Sequence, residues 1–195
     1  MKRYSFETSL KDYKDLVTRI EATDGKNRRL GQKGWHQAAE TITKQTAKGG
    51  KIMFFGNGGS AAIASHQATD YFKNGGVRAM AFNDASLLTC LSNDYAYAEA
   101  FERAILRFAD PGDVAVAISS SGKSPNIIKG AGAALKNKCR LITLSGFDAN
   151  NPLRSLGDVN FYVPSHSYYY VENLHLLILT LILDAHAASH KVVTK

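Results

Sequence analysis

The amino-acid sequence predicts an α/β protein, a three-layer αβα sandwich around a five-stranded parallel sheet, with helices ahead of the first strand. Short apolar runs alternate along the chain with longer segments whose apolar residues recur every three or four positions. The first pattern is typical of buried strands and the second of amphipathic helices. Strands that alternate with helices form right-handed βαβ units, and such units build a parallel sheet.

Two helices are predicted before the sheet. The first covers residues 4–24, where apolar side chains recur at alternating steps of four and three: Phe6, Leu10, Tyr13, Val17 and Ile20. The second covers residues 28–48 and carries Trp35, Ala39 and Ile42 on one side. It is expected to end at Gly49 and Gly50, because glycine is favoured just after a helix.

The core follows from the same patterns. Strands are predicted over residues 51–55, 77–82, 114–118, 140–144 and 161–163, and helices over residues 60–73, 96–109, 125–137 and 169–188. The last helix is apolar nearly all round, which predicts burial on several sides, within the domain or against another subunit. We expect one domain over residues 1–195, with N-terminal helices in 1–50 and an α/β core in 51–190.

Composition and charge narrow the possible functions. The net charge of +7 comes from scattered Lys and Arg residues, which favours a solvated basic surface over a nucleic-acid site. Cys90 and Cys139 lie in apolar surroundings, as buried thiols of a reducing compartment do. Residues 1–7 lead into no apolar segment, and the longest apolar run, 176–183, is too short to cross a bilayer. We therefore expect a cytoplasmic protein that binds neither nucleic acid nor a membrane.

Two loops rich in glycine and serine each follow a predicted strand and precede a predicted helix. They are residues 56–60 and 119–124. Ligands of parallel sheets bind beyond the carboxyl ends of the strands, and the N–H groups that begin a helix favour an anion. Neither loop has nucleotide-binding spacing, because Ala117 and Ala61 stand where a Walker A loop and a dinucleotide fingerprint need glycine. The sequence thus predicts a phosphate site and no nucleotide cofactor.

These loops resemble those of the SIS (sugar isomerase) domain family, a flavodoxin- or Rossmann-like fold, and within it the phosphoheptose isomerases. Residues 56–61 and 118–126 carry the resemblance, and residues 92–97 and 171–175 extend it. The resemblance implies a sugar-phosphate ligand. It places the binding residues at Asn57, Gly58, Gly59, Ser60, Asp94, Ser119, Ser120, Ser121 and Ser124.

Four further residues are candidates for proton transfer or for binding a metal. His66 and Asp70 stand four apart on a predicted helix, and Glu172 and His175 stand three apart, so each pair shares a helix face. An aldose–ketose isomerase needs a base near the carbon and proton donors near the oxygens. We assign Asp70, Glu172 and His175 as candidate catalytic residues. His66, Asp70 and Glu172 are candidate ligands of zinc.

The family resemblance leaves two functions open, because its metal-binding isomerases carry a histidine where Thr180 stands here. The first is an isomerase of sedoheptulose 7-phosphate, yielding D-glycero-manno-heptose 7-phosphate, or of a related sugar phosphate. In that case Asp70 and Glu172 are expected to meet in one pocket, supplied by one chain or by two. The second is a non-catalytic phosphosugar-binding regulator or protein-interaction module. Either would be a homo-oligomer, by resemblance a tetramer.

Overall fold

A computed structural model describes residues 5–190 of the 195-residue chain. The helices are α1 (Phe6–Thr18), α2 (Gln32–Ala47), α3 (Gly59–Lys73), α4 (Ala85–Asp94), α5 (Ala100–Phe108), α6 (Pro125–Lys136) and α7 (Tyr168–His190). The strands are β1 (Glu21–Thr23), β2 (Ile52–Gly56), β3 (Ala79–Ala81), β4 (Val114–Ser119), β5 (Arg140–Ser145) and β6 (Val159–Tyr162). Short 3₁₀ helices cover Tyr97–Glu99 and Pro152–Ser155. The two ends of the expected 1–195 domain, residues 1–4 and 191–195, lie outside the described residues.

The predicted α/β class is confirmed, and the strand count needs correction. The six strands have the order β1-β6-β5-β4-β2-β3, in which β2 to β6 are the five predicted parallel strands. The sixth, β1, pairs antiparallel with β6, with Glu21 opposite Tyr162. The first helix therefore ends at Thr18 rather than near residue 24, because the next residues cover the edge of β6.

Three other sequence expectations change in detail. Helix α4 was not predicted; Asp84 caps it, its side chain accepting a hydrogen bond from the Leu87 N–H. The predicted helix over 96–109 is a 3₁₀ turn followed by α5. Of the two cysteines, Cys139 is buried as expected, whereas Cys90 is exposed on α4.

Side chains of the sheet alternate between two apolar layers. Ile52 and Phe54 of β2 face a layer formed with α2, α3 and α7. Met53 and Phe55 face a layer formed with α4, α5 and α6. The sheet is thus buried on both faces, as parallel sheets are.

Helix α7 supplies much of the first layer. Val171, Leu174, Ile178, Leu179 and Ile182 are all buried. They recur at steps of three and four and so form one face of the helix. Leu181 is exposed, so the expected burial on several sides is not met within this chain. By length and composition Tyr168–Ser189 could also cross a membrane. Core helices of soluble proteins share these properties, and this one packs against α2 and α3.

The strand order indicates where a ligand would bind, at the carboxyl ends of β2 and β4. From β2 the chain runs to β3 on one side and returns to β4 on the other side. The order therefore reverses between β2 and β4, and the loops that follow these two strands diverge around a crevice. Both loops are the ones rich in glycine and serine.

Candidate functional site

The crevice beyond β2 and β4 holds a cavity of about 300 Å³. Gly56 at the end of β2 lies opposite Ile118 of β4, so the two loops start side by side. The structure gathers eight of the predicted binding residues around this cavity, together with one predicted catalytic residue and an aromatic wall. The lining residues are Asn57, Gly58, Gly59, Ser60, Ile118, Ser119, Ser120, Ser121, Ser124, Tyr168 and Glu172.

The first loop is tied to the rest of the site through Asn57. Its Oδ1 accepts hydrogen bonds from the Tyr97 hydroxyl at 2.7 Å and from Asn126 Nδ2 at 2.8 Å. Its Nδ2 donates to Asn126 Oδ1 at 3.0 Å. These bonds leave one N–H of the Asn57 amide for a ligand. Asn126 is the second residue of α6, so this amide pair fixes the first loop against the helix that follows the second loop.

The second loop turns tightly around Gly122, whose φ of +62° favours glycine. The Gly122 N–H donates to Ser119 Oγ at 3.1 Å. Buried Asn151 lies directly beneath, and a Cβ on residue 122 would overlap its side chain. Asn151 therefore supports the second loop at Gly122. The Ser120 hydroxyl, by contrast, is buried without a hydrogen-bond partner among the described residues, as expected of a donor reserved for a ligand.

Two helices start at the cavity; α6 begins with Pro125, which has no N–H group, and the next N–H but one, that of Ile127, donates to Asn126 Oδ1 at 3.0 Å. The N-cap of α3 is Gly58, and the N-cap of α6 is Ser124; neither makes a side-chain capping bond. Unpaired N–H groups and the positive end of the helix dipole favour a bound anion. Two such ends converge here with the serine hydroxyls, an arrangement suited to a phosphate group.

Glu172 is the acidic group of the cavity. It lies in the first turns of α7, and its carboxylate sits where a Cβ on Gly59 would be. Burial raises the pKa of the Glu172 carboxyl above its ordinary value of 4.5. A partly desolvated carboxylate beside a ligand cavity is a suitable general base.

His66 and Asp70 lie on α3 but outside this cavity. The prediction that they share a helix face is confirmed, because His66 Nε2 lies 3.1 Å from Asp70 Oδ2. Gly59, which contacts Glu172, precedes Asp70 by eleven residues, or about 16 Å along an α-helix. A single chain therefore does not bring Asp70 and Glu172 into one pocket. Among the described residues no group of three or more His, Cys, Asp or Glu converges to bind a metal, so the proposed zinc ligands of one chain do not fit a metal site.

Two more predicted residues lie away from the lining. His175 is fully buried, and its Nε2 lies 3.1 Å from the Ser145 carbonyl oxygen. Burial lowers the pKa of His175 to about 4, which keeps the ring neutral and suits a structural role. Asp94 is exposed at the end of α4 and accepts a hydrogen bond from Asn93 Nδ2 at 3.0 Å. The Thr180 hydroxyl accepts a hydrogen bond from Gln67 Nε2 and donates one to the Leu176 carbonyl oxygen.

Three polar residues of the site escaped sequence reasoning. Tyr97 and Asn126 orient Asn57, and Asn151 supports Gly122. Tyr97 and Asn126 stand within the stretches that carry the family resemblance, which was the available signal. Asn151 stands outside them and gave none.

Comparisons with known proteins show the family of this chain. The SIS domain family model matches residues 14–146. The phosphoheptose isomerase of Thiobacillus denitrificans is 37% identical over 157 residues, covering 76% of this chain and 80% of its own. The phosphoheptose isomerase of Shewanella sp. strain ANA-3 is 34% identical over 177 residues, 87% of each chain.

Among solved structures, the phosphoheptose isomerase of Neisseria gonorrhoeae superposes with a TM-score of 0.81 at 29% identity. The superposition covers 92% of this chain and 96% of the other. The similarity therefore extends over most of the length of both chains.

Proposed function

Because this chain belongs to the SIS domain family, and within it to the phosphoheptose isomerases, we propose that it is an isomerase. Its proposed reaction interconverts sedoheptulose 7-phosphate and D-glycero-manno-heptose 7-phosphate. The observation that carries the proposal is the placement of one carboxylate, Glu172, beside a cavity whose other polar lining groups are hydroxyls, an amide and glycine backbone. The donors suit a phosphate, and the carboxylate suits proton transfer at a carbon next to a carbonyl.

The residues of the cavity divide the chemistry between them. Ser119, Ser120, Ser121 and Ser124 bind the phosphate with the N-termini of α3 and α6. The free N–H of Asn57 and the hydroxyl of Ser60 hold the sugar. Glu172 removes the proton from C1 of the ketose, the electron pair forms the C1–C2 double bond of an enediol, and Glu172 returns the proton to C2. A second proton moves from O1 to O2, and the donors of the cavity stabilise the charge on these oxygens.

Incubation with sedoheptulose 7-phosphate, followed by NMR, tests the proposal directly. We expect a new anomeric proton signal from the aldose, because only isomerisation creates an aldehyde carbon at C1. Zinc is added in a parallel sample, since His66 and Asp70 are the residues of one chain available to a metal shared between subunits. A sample that binds the sugar phosphate without turnover, with or without zinc, would instead support the non-catalytic binding module.

One observation favours the non-catalytic binding module. Asp70, a candidate catalytic residue, pairs with His66, a candidate zinc ligand, outside the cavity of their own chain. The isomerase therefore has Glu172 as its base within the chain, and any contribution from Asp70 comes from another subunit.

We propose that the protein is a cytoplasmic homotetramer. Apolar side chains are exposed on neighbouring elements that pack against each other, α1 and α7: Leu10 is 67% exposed and Leu181 is 44% exposed. On α3, Phe72 is 67% exposed and follows Asp70 by two positions. Faces of this kind mark contacts between subunits. Light scattering at micromolar concentration should give the mass of four chains, and a mass of 21.2 kDa would refute assembly.

A further inference from the structure

The charge of the cavity does not match that of a phosphate ester. Among the described lining residues, Glu172 is the one charged side chain, and its charge has the same sign as the ligand. At pH 8 a sugar phosphate carries close to two negative charges, since its second pKa is about 6. Helix ends and hydroxyls offset part of that charge. A nearby cation would offset more of it.

Lys123 is the cation closest to the cavity in sequence. Its neighbours Ser121 and Ser124 both line the cavity, and its own N–H donates to Ser121 Oγ at 3.2 Å. The backbone of Lys123 is therefore part of the phosphate loop. Its side chain points elsewhere, because Nζ forms an ion pair with Asp148 Oδ2.

Asp148 belongs to the loop that follows β5. Its backbone is fixed, because its carbonyl oxygen accepts a hydrogen bond from Asn151 Nδ2 at 2.8 Å. Its side chain is 52% exposed, and that of Lys123 is 56% exposed. The ammonium group lowers the pKa of the Asp148 carboxyl through their hydrogen bond. Asp148 is thus a carboxylate that competes for the ammonium group of the phosphate loop.

We propose that Lys123 is the counter-charge of the bound phosphate, and that Asp148 holds the Lys123 side chain at the surface until a phosphorylated ligand displaces it. The inference rests on the proposed function, since it assigns a residue to the phosphate end of that substrate. It adds a binding residue outside the serine set, together with an acidic residue that weakens binding.

The exchange of partners is physically easy. An exposed ion pair contributes little to stability, because water screens it and two long side chains must be held in place. Lysine carries its charge on a flexible stem and has three rotatable donors. A phosphate offers more charge and more acceptor oxygens than a carboxylate, so the ligand is the stronger partner.

Opposite effects of two substitutions test the proposal. Lys123→Gln should weaken the binding of sedoheptulose 7-phosphate up to about fivefold, because a charged partner is lost. Asp148→Asn should tighten binding by about two- to fivefold, because the lysine is released and a negative charge is removed. Isothermal titration calorimetry at pH 8 and low salt measures both. Inorganic phosphate serves as a second probe, and unphosphorylated sedoheptulose should show neither effect.

The controls separate charge from loop structure. Lys123→Arg keeps the charge and should retain most of the affinity. Lys129→Gln makes the same change of charge at another exposed, ion-paired lysine, which lies on α6, and should leave binding unchanged. If Lys123→Gln and Asp148→Asn both weaken binding, the ion pair only orders the loop and the proposal is wrong. If the wild-type protein binds sedoheptulose 7-phosphate and neither variant changes the affinity, the proposal is also wrong, although the proposed function stands. If the wild-type protein binds no phosphorylated ligand, the proposed function itself fails.

Discussion

Glu172→Gln is expected to lower kcat by about 10²- to 10⁴-fold, the usual contribution of a general base. Glutamine has nearly the same size and fits beside Gly59 as the glutamate does, but its amide does not accept a proton from carbon. The serine loops are untouched, so the affinity for the sugar phosphate should stay close to that of the wild type. Turnover of sedoheptulose 7-phosphate and calorimetric binding measure the two effects separately.

The pH profile identifies the same group. A base acts when deprotonated, so kcat/KM should fall as the pH drops through the pKa of Glu172, which burial places above 4.5. The variant should lose this acid limb. Glu40→Gln, at an exposed glutamate paired with Lys44 on α2, is the matched control and should keep the wild-type rate. A Glu172→Gln enzyme with the wild-type kcat would show that another group is the base.

Replacing Ser121 and Ser124 together with alanine should weaken the binding of sedoheptulose 7-phosphate by about 100-fold, because hydrogen bonds to a charged group are lost at both positions. The fold should tolerate the change. An N-cap serine normally stabilises its helix, but the Ser124 side chain makes no capping bond to α6. Calorimetry gives the affinity, and thermal unfolding checks the fold.

The control for this pair is Ser155→Ala. Ser155 is exposed, and its hydroxyl donates to the Pro152 carbonyl oxygen, away from the cavity. It should leave binding unchanged. Wild-type affinity in a folded Ser121→Ala/Ser124→Ala protein would remove the serine loop from the proposed site.

Much of the fold follows from local patterns in the sequence. Strand β2 is an apolar run that stops at a glycine loop, and α6 begins with Pro125 at its first turn, as predicted. Strand β1 was missed because its three residues form a strand only through pairing with β6, more than 130 positions later. Long-range pairing of this kind leaves no local periodicity to detect.

The site likewise combines local signals, which the sequence shows, with long-range contacts, which it does not. Each serine or glycine loop is a local signal, and strand register then brings the two together. The bonds from Tyr97 to Asn57 and from Lys123 to Asp148 join residues 40 and 25 positions apart, so only the folded chain reveals them. The distance between Asp70 and Glu172 was within reach of the sequence, because the rise of a helix places a residue eleven positions from the sheet edge well away from it.

Gly59 has a further consequence for how this site can change. Its missing side chain is the space that the Glu172 carboxylate fills, although the two residues are 113 positions apart in the chain. The pair behaves as one steric unit with a fixed total volume. A larger residue at position 59 requires a shorter one at position 172, so a redesign of the base must alter both residues at once.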